Sequence, residues 1–471
     1  MEREGRDLKF LAVVFGVALM LRLIPVLLTR DLGIALDDMF QYDALAESIR
    51  LGQGYTWYGG IPTAARAPAY PLLLAIIYSF FGHRFLAARL VQAVMASSVP
   101  VVVYALGRRL FDRPVARIAS LVTASFPMFL VYPLALVTEN LFFVLVPLTV
   151  LWLLKAVDTA RIRYYVLAGA ALGMSILTRS VLAGFVLLIL PWLWYCSSSR
   201  RQAMKNWAVI TGCVAVLTVP WSIRNSLLYG QFVFVESSLG FNFYLGYHPE
   251  GTGTFDSTIA IDFLEEVGAF EEPSLETEMR THNLGMGKGL KFIRQNPGRA
   301  AWLLTSKLSH FLRLDKRAPL YFYSNNFLGE LPPSVLLFAL LLICLPWVVV
   351  LVLGVMGMSL SSVSRDKVLI YLLCAYFVGI HMLIMAEPRF HLVLVPFLVI
   401  FAAHGAMALT RVKDNLGASD AEVRRSTRWR LALSLLIVAL LLVNWSYEVS
   451  VDMDKLRLVF SPGGNLARFT Y

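Results

Sequence analysis

The sequence predicts an all-α polytopic membrane protein, and three observations carry that prediction. Of 471 residues, 58% are hydrophobic and only 15% are charged, whereas soluble domains carry about 45–50% apolar and about 25% charged residues. The apolar residues gather into about eleven stretches, most of them near the roughly 20 residues that cross a bilayer. Basic residues, finally, alternate from loop to loop. This much hydrophobicity excludes a disordered chain, and four cysteines exclude a secreted disulfide scaffold.

The stretches lie near 9–28, 86–107, 115–134, 139–156, 164–178, 181–197, 207–224, 334–357, 368–385, 391–410 and 431–447. The two flanking Arg179 are short for full spans. Cys196, Cys213, Cys344 and Cys374 sit inside apolar runs with no ligand spacing, and read as small buried hydrophobes. The first stretch is long enough to span and lacks a small-residue cleavage site, so no cleavable signal is expected.

Charge sets the orientation. With the N-terminus inside, the segments 1–9, 108–117, 155–163, 198–206, 358–367 and 411–430 are inside and hold 21 Lys and Arg against 9 acids. Such an excess is what cytoplasmic loops carry. The formal net charge of +11 therefore reports topology. Nucleic-acid binding would need the basic residues on one soluble face, and it is not expected. No phosphate-binding GxxxxGK[ST] loop occurs, which argues against an ATP-driven pump.

Two outer segments are more than loops. In 29–85, Met39, Tyr42, Leu45, Ala46 and Ile49 share a helical face, which predicts a helix lying along the membrane surface with its apolar side down. The segment 226–330 starts with strand-like Gln231-Phe-Val-Phe-Val, passes through the glycine-rich turn Leu245–Gly253, and ends in an amphipathic basic helix over Gly289–Leu314. It is expected to be mixed in structure. The organisation predicted is an N-terminal membrane module 1–225 containing the first outer loop, the outer segment 226–330, membrane helices 331–447, and a short outer tail 448–471.

The candidate chemistry clusters at the outer rim. Asp37 and Asp38 follow the first span. Asp38 with Gln41 three residues on makes a capping-box pattern, so helix capping is the plain alternative to catalysis. Partial desolvation at the bilayer surface would raise an aspartate toward general-base strength. Glu139 stands where the third span turns into the fourth, and an acid beside hydrocarbon is a functional candidate, with a snorkelling surface glutamate as the alternative. Arg66, Arg389 and Arg179 lie outside, against the inside bias, and guanidinium forks suit phosphate oxygens. For Arg389 the alternative is an ion pair with Glu387. Tyr42 and Tyr70 are candidate substrate-positioning residues. The histidines show no HxxxH or HExxH spacing, so no metal site is read from them.

The motifs Asp-Asp-x-x-x-Tyr-Asp-x-Leu-Ala at 37–46, Gly52-Gln-Gly-Tyr, Arg66-Ala-Pro-Ala-Tyr-Pro, Thr138-Glu-Asn-Leu-Phe, Leu177-Thr-Arg, Pro220-Trp-Ser-Ile-Arg-Asn and Glu387-Pro-Arg-Phe run in order along the chain to about residue 410. In this order the sequence resembles the GT-C superfamily of polyprenyl-phosphate-sugar-dependent glycosyltransferases. It is most like the bacterial branch with lipid A aminoarabinose transferases and relatives of protein O-mannosyltransferases. The resemblance implies that Asp38 is the first-loop acid, Glu139 the second-loop acid, and Arg66 a contact to the donor phosphate. Some relatives carry a metal-binding acid just before that basic position. Here it is Ala65, so a divalent metal is unsupported and no cofactor is expected. The large C-terminal soluble domain of some relatives is not expected here, where a short tail follows the last span.

The expected function is an inverting sugar transfer from a polyprenyl-phosphate donor to a glycan, lipid or protein acceptor. It would occur at the outer face of a bacterial cytoplasmic membrane, with membrane lipids as the other partner. A flippase or transporter, a polymerase or ligase of lipid-linked saccharides, and a non-catalytic scaffold are the competing classes.

Overall fold

A computed structural model describes residues 2–34, 37–57, 60–270, 274–327, 329–417 and 419–468. Every apolar stretch read from the sequence is helical, and the fold is all-α. Among the described residues no strand forms, and the only bridge is an isolated one between Thr56 and Pro62. Among the described residues eight helices are long and apolar enough to cross a membrane, and a ninth is counted if the bent pair Arg113–Ser125 and Pro127–Leu134 is one span. A count of eleven is not confirmed. Ile162–Thr178 has 17 residues and is therefore about 26 Å long, short of a hydrocarbon core of about 30 Å. The 51° bend falls where Pro127, lacking an N–H, cannot continue the helix begun at Arg113.

The loops separate into two ends. At one, Arg109 pairs with Asp158 and with Asp366 (2.9 Å), Arg365 with Asp158 (2.6 Å), and Arg113 with Asp7 (2.6 Å to Nε). Four of the segments read as inside thereby share one face. Arg89, fully buried, staples the opposite end: its guanidinium donates to the carbonyls of Leu134 (2.9 Å), Leu32 (2.5 Å) and Gly33 (2.8 Å). Arg22, also fully buried, donates to the Ala18 and Ala124 carbonyls. Both embedded arginines thus join backbone segments. Between Pro333–Leu360 and Val395–Leu416 the helices touch backbone to backbone. A Cβ on Gly357 would lie 1.9 Å from the Phe401 carbonyl oxygen, an approach only glycine permits.

Three expectations about the outer segments change. The helix Asp37–Arg50 forms, but its apolar face does not lie on lipid. Met39, Tyr42 and Ala46 are buried in the main core with Tyr70, Leu74 and Tyr78 of the helix Ala69–Phe81. The residues 231–235 do not form a strand. Their backbone groups pair with side chains of the helix Arg200–Tyr229 instead. Trp221 and Asn225 donate to the Val235 carbonyl (2.9 and 3.1 Å), Ser222 donates to that of Phe234 (2.5 Å), and the Val233 N–H donates to Ser226 Oγ (3.2 Å). Among its described residues the 226–330 segment is therefore helical rather than mixed, with helices Leu239–Gly246, Ser257–Glu266, Leu275–Gln295, Pro297–Phe311 and Arg317–Ser324. The single basic helix expected over Gly289–Leu314 is split at Asn296-Pro297.

The C-terminal tail is attached. The helix Ala421–Val451 runs past residue 447, and its buried Glu448 accepts from Lys316 and from the Leu314 N–H (3.0 Å). Val459 packs with Leu320, Tyr323, Leu336 and Leu340.

Candidate active site

Asp38 lies in the first turn of the helix Asp37–Arg50 rather than at a cap. Its Oδ1 accepts from Arg66 Nη2 at 2.7 Å, and its Oδ2 accepts from both terminal nitrogens of Arg389 at 3.3 Å. Gln41 does not complete a capping box. Its Oε1 takes Arg66 Nε at 2.6 Å, so the arginine fork bridges Asp38 and Gln41. The Asp37 side chain lies outside the described residues. Burial alone would raise the Asp38 pKa, but the positive charges of Arg66, Arg389 and Arg179 outweigh it and hold the carboxyl at about 2. A bilayer edge alone predicts a raised value, and the converging arginines reverse it. At any working pH this carboxylate is ionised.

The second acid sits beside the first. Glu139 opens the helix Glu139–Thr159 and is buried, accepting from Arg179 Nη1 at 2.8 Å and from the Thr138 hydroxyl at 3.1 Å. It does not snorkel. The Phe390 ring stands between two guanidiniums, 5.1 Å from that of Arg179 and 5.7 Å from that of Arg389. The hollow there is lined by Glu139, Arg179 and Arg389 on its polar side and by Phe142, Phe377 and Phe390 on its apolar side. Residues from five separate stretches of the chain thus bring two carboxylates and three guanidiniums to one rim. Three of the five are partly open: Arg389 is 43% exposed, Asp38 26% and Arg66 25%.

Of the two tyrosines, Tyr42 faces the site from beneath. The Arg66 guanidinium lies 5.7 Å from its ring. Tyr70 does not reach the rim. It is fully buried, edge-on to Tyr42 at 5.4 Å, and its hydroxyl donates to Gln92. It supports Tyr42 from behind, a role sequence spacing does not separate from substrate contact.

Sequence reasoning missed the residues that hold the arginines in place. The Tyr55 hydroxyl donates to the Arg66 carbonyl (2.9 Å). Arg224, within a quoted motif but given no role, donates to the carbonyls of Thr63 (2.5 Å) and Tyr55 (3.2 Å). Glu278 accepts from the Thr63 hydroxyl (2.7 Å), the Ala64 N–H (3.2 Å), the Tyr229 hydroxyl (2.6 Å) and the Ser237 hydroxyl. Nothing local marks Glu278, since its partners are far away in sequence. The Glu387–Arg389 pair considered above is not made. Glu387 pairs with Arg317, which leaves Arg389 for Asp38.

Residues 65–223 match the family described as dolichyl-phosphate-mannose-protein mannosyltransferase. Among solved structures, the archaeal oligosaccharyltransferase AglB from Archaeoglobus fulgidus, in complex with an inhibitory peptide and a dolichol-phosphate, superposes with a TM-score of 0.53 at 16% identity. The match covers all of this chain and 61% of AglB. ArnT from Cupriavidus metallidurans, bound to undecaprenyl phosphate, gives 0.50 at 14% identity, over 98% of this chain and 74% of ArnT. The fold is that of the GT-C glycosyltransferases. The Archaeoglobus fulgidus oligosaccharyltransferase in complex with zinc and sulfate gives 0.51 at 16% identity, over 92% of this chain and 52% of that one. The chain thus spans less than two thirds of the oligosaccharyltransferases it superposes on. No curated protein matches.

The zinc in that GT-C neighbour poses the question of a metal here. The donor set does not fit one. Asp38 and Glu139 each have guanidinium groups on their oxygens, and position 65 is alanine. Among the described residues no three His, Cys, Asp or Glu side chains converge. The positive charge beside these acids is supplied by arginine.

Proposed function

We propose that this protein is a glycosyltransferase that moves a sugar from a polyprenyl-phosphate donor to an acceptor at the outer membrane face, with inversion. One observation carries the reading: Arg66 and Arg389 converge on Asp38 at a partly open rim, beside the paired Glu139 and Arg179. Guanidiniums suit the oxygens of a lipid phosphate through forked hydrogen bonds. The match to a dolichyl-phosphate-mannose family supports the donor class, as do neighbours carrying dolichol-phosphate and undecaprenyl phosphate.

The mechanism follows from the charges. Without donor, both arginines neutralise Asp38 and keep it a weak base. A donor phosphate competes for the same guanidiniums. As they turn to the phosphate, Asp38 loses its counter-charges and its basicity rises. It can then take the proton of an attacking acceptor hydroxyl or amine, while the acceptor displaces the polyprenyl phosphate from the anomeric carbon. One displacement inverts that carbon. Glu139, locked to Arg179, holds a third cation beside the leaving phosphate. The embedded Arg22 and Arg89 serve backbone carbonyls, which weakens the transporter reading.

The test is binding of undecaprenyl phosphate by the purified protein. Arg66→Ala should weaken it about ten- to a hundredfold, the value of one charge-assisted hydrogen bond. Arg66→Lys should restore only part, because a point charge replaces a fork. Unchanged binding in both variants contradicts the assignment.

The outer location of the rim is tested by labelling. With the N-terminus inside, a cysteine placed at Gly251 should react with a membrane-impermeant reagent added outside, and one at Arg425 should not. The reverse pattern would put the site in the cytoplasm.

A further inference from the structure

The guanidinium of Arg389 is held more loosely than that of Arg66. Arg66 is gripped by Gln41 at 2.6 Å, whereas Arg389 is 43% exposed and reaches Asp38 at 3.3 Å. Its aim depends on the short turn Pro388–Leu394 that carries it. Two residues earlier, Glu387 is 4% exposed, and among the described residues its carboxylate takes its donors from the 226–330 segment. Arg317 and the Thr254 hydroxyl donate to it, and so does the Phe255 N–H at 2.7 Å. The adjoining Ala386 N–H donates to the Gly253 carbonyl at 3.1 Å. A buried carboxylate meeting three donors from one segment is a fixed joint.

We infer that Glu387 is a positioning residue for Arg389: through it the outer segment aims the phosphate-binding guanidinium at Asp38. The inference rests on the functional reading above for its catalytic consequence, though not for its geometry. It follows that an acceptor engaging residues near Thr254 and Arg317 acts on the donor site. Shifting the 254–255 loop shifts Glu387, and with it the turn carrying Arg389. Such coupling through a short chain of packed, paired groups needs no larger motion.

The experiment uses the full-length protein in detergent, with Glu387→Gln, Arg317→Ala and Arg317→Lys. Glutamine still accepts from Phe255 and Thr254 but loses the charge that Arg317 meets. Glu387→Gln and Arg317→Ala should each lower kcat/KM for the lipid-phosphate sugar about tenfold or more, the range set by losing one charge-assisted bond. Arg317→Lys should recover much of it. In an Arg389→Ala background Glu387→Gln should lower kcat/KM no further, because what it positions is gone. Amide hydrogen exchange over residues 384–394 should rise in Glu387→Gln and Arg317→Ala. Unchanged exchange there overturns the joint, whatever the activity. An equal loss of kcat/KM in both backgrounds reduces Glu387 to a general stabiliser and also overturns the inference. A wild-type protein that releases no sugar sinks the functional reading instead, and the exchange comparison still decides the joint.

Discussion

Asp38→Asn should insert and bind donor at least as well as the wild type, yet turn over at least about a hundredfold more slowly, within the range general-base catalysis supplies. The asparagine carbonyl can still accept from Arg66 Nη2, so the rim should keep its shape. It cannot take a proton. Removing the carboxylate also removes the competitor for Arg66 and Arg389, so undecaprenyl phosphate should bind equally or more tightly. A purely structural role would instead weaken binding and turnover together. In the free protein the Asp38 carboxyl sits at about 2, so kcat/KM should show no acid limb from this group between pH 5 and 8. The linked stability has the matching sign. A pKa depressed on folding contributes stability above the ordinary aspartate value, and that stability is lost only as pH falls toward 2. Near-normal turnover in Asp38→Asn, with Asp37→Asn inactive, would move the role by one residue.

The second large effect concerns Glu139. Glu139→Ala removes the partner of Arg179 at a site where the glutamate is buried and the arginine side chain is 23% exposed. Breaking a buried pair leaves an uncompensated charge, which costs about 3 kcal/mol. Glu139→Gln leaves a carbonyl for Arg179 and the Thr138 hydroxyl, and should cost clearly less. The measurement is the melting temperature of each variant in detergent. Equal melting of Glu139→Ala and wild type would mean that the pair does not stabilise the fold, and that Arg179 is satisfied elsewhere.

How far the sequence foretold this molecule differs from part to part. Helix positions were legible because apolar runs report burial or lipid directly, and the predicted runs are helical. Their number as spans was not. Ile162–Thr178 is apolar but short, and the kink at Pro127 turns one run into two helices. The apolar face of Asp37–Arg50 was legible, but its partner was not, since packing against Ala69–Phe81 and against lipid demand the same residues. The strand-like pattern at 231–235 misled because its backbone is paired by Ser222, Asn225 and Trp221 on a helix.

At the candidate site, Arg66, Arg179 and Arg389 were legible because they stand in loops otherwise poor in basic residues. Their pairing was hidden: Asp38 and Arg389 stand far apart in sequence. The same distance hid Glu278 and made Glu387 look like the natural partner of Arg389. The error in the Asp38 pKa has this origin too, because desolvation can be guessed from a bilayer edge while two converging guanidiniums cannot.

The most direct test is to follow a labelled sugar on polyprenyl phosphate, given to purified wild-type protein in detergent together with cell-envelope acceptors. The account predicts that label leaves the lipid, that free polyprenyl phosphate accumulates, that the new glycosidic bond has the inverted anomeric configuration, and that Asp38→Asn does none of this. Donor that stays intact with wild-type protein, but crosses the bilayer when the protein is placed in vesicles, would contradict it and make the protein a carrier of lipid-linked sugar.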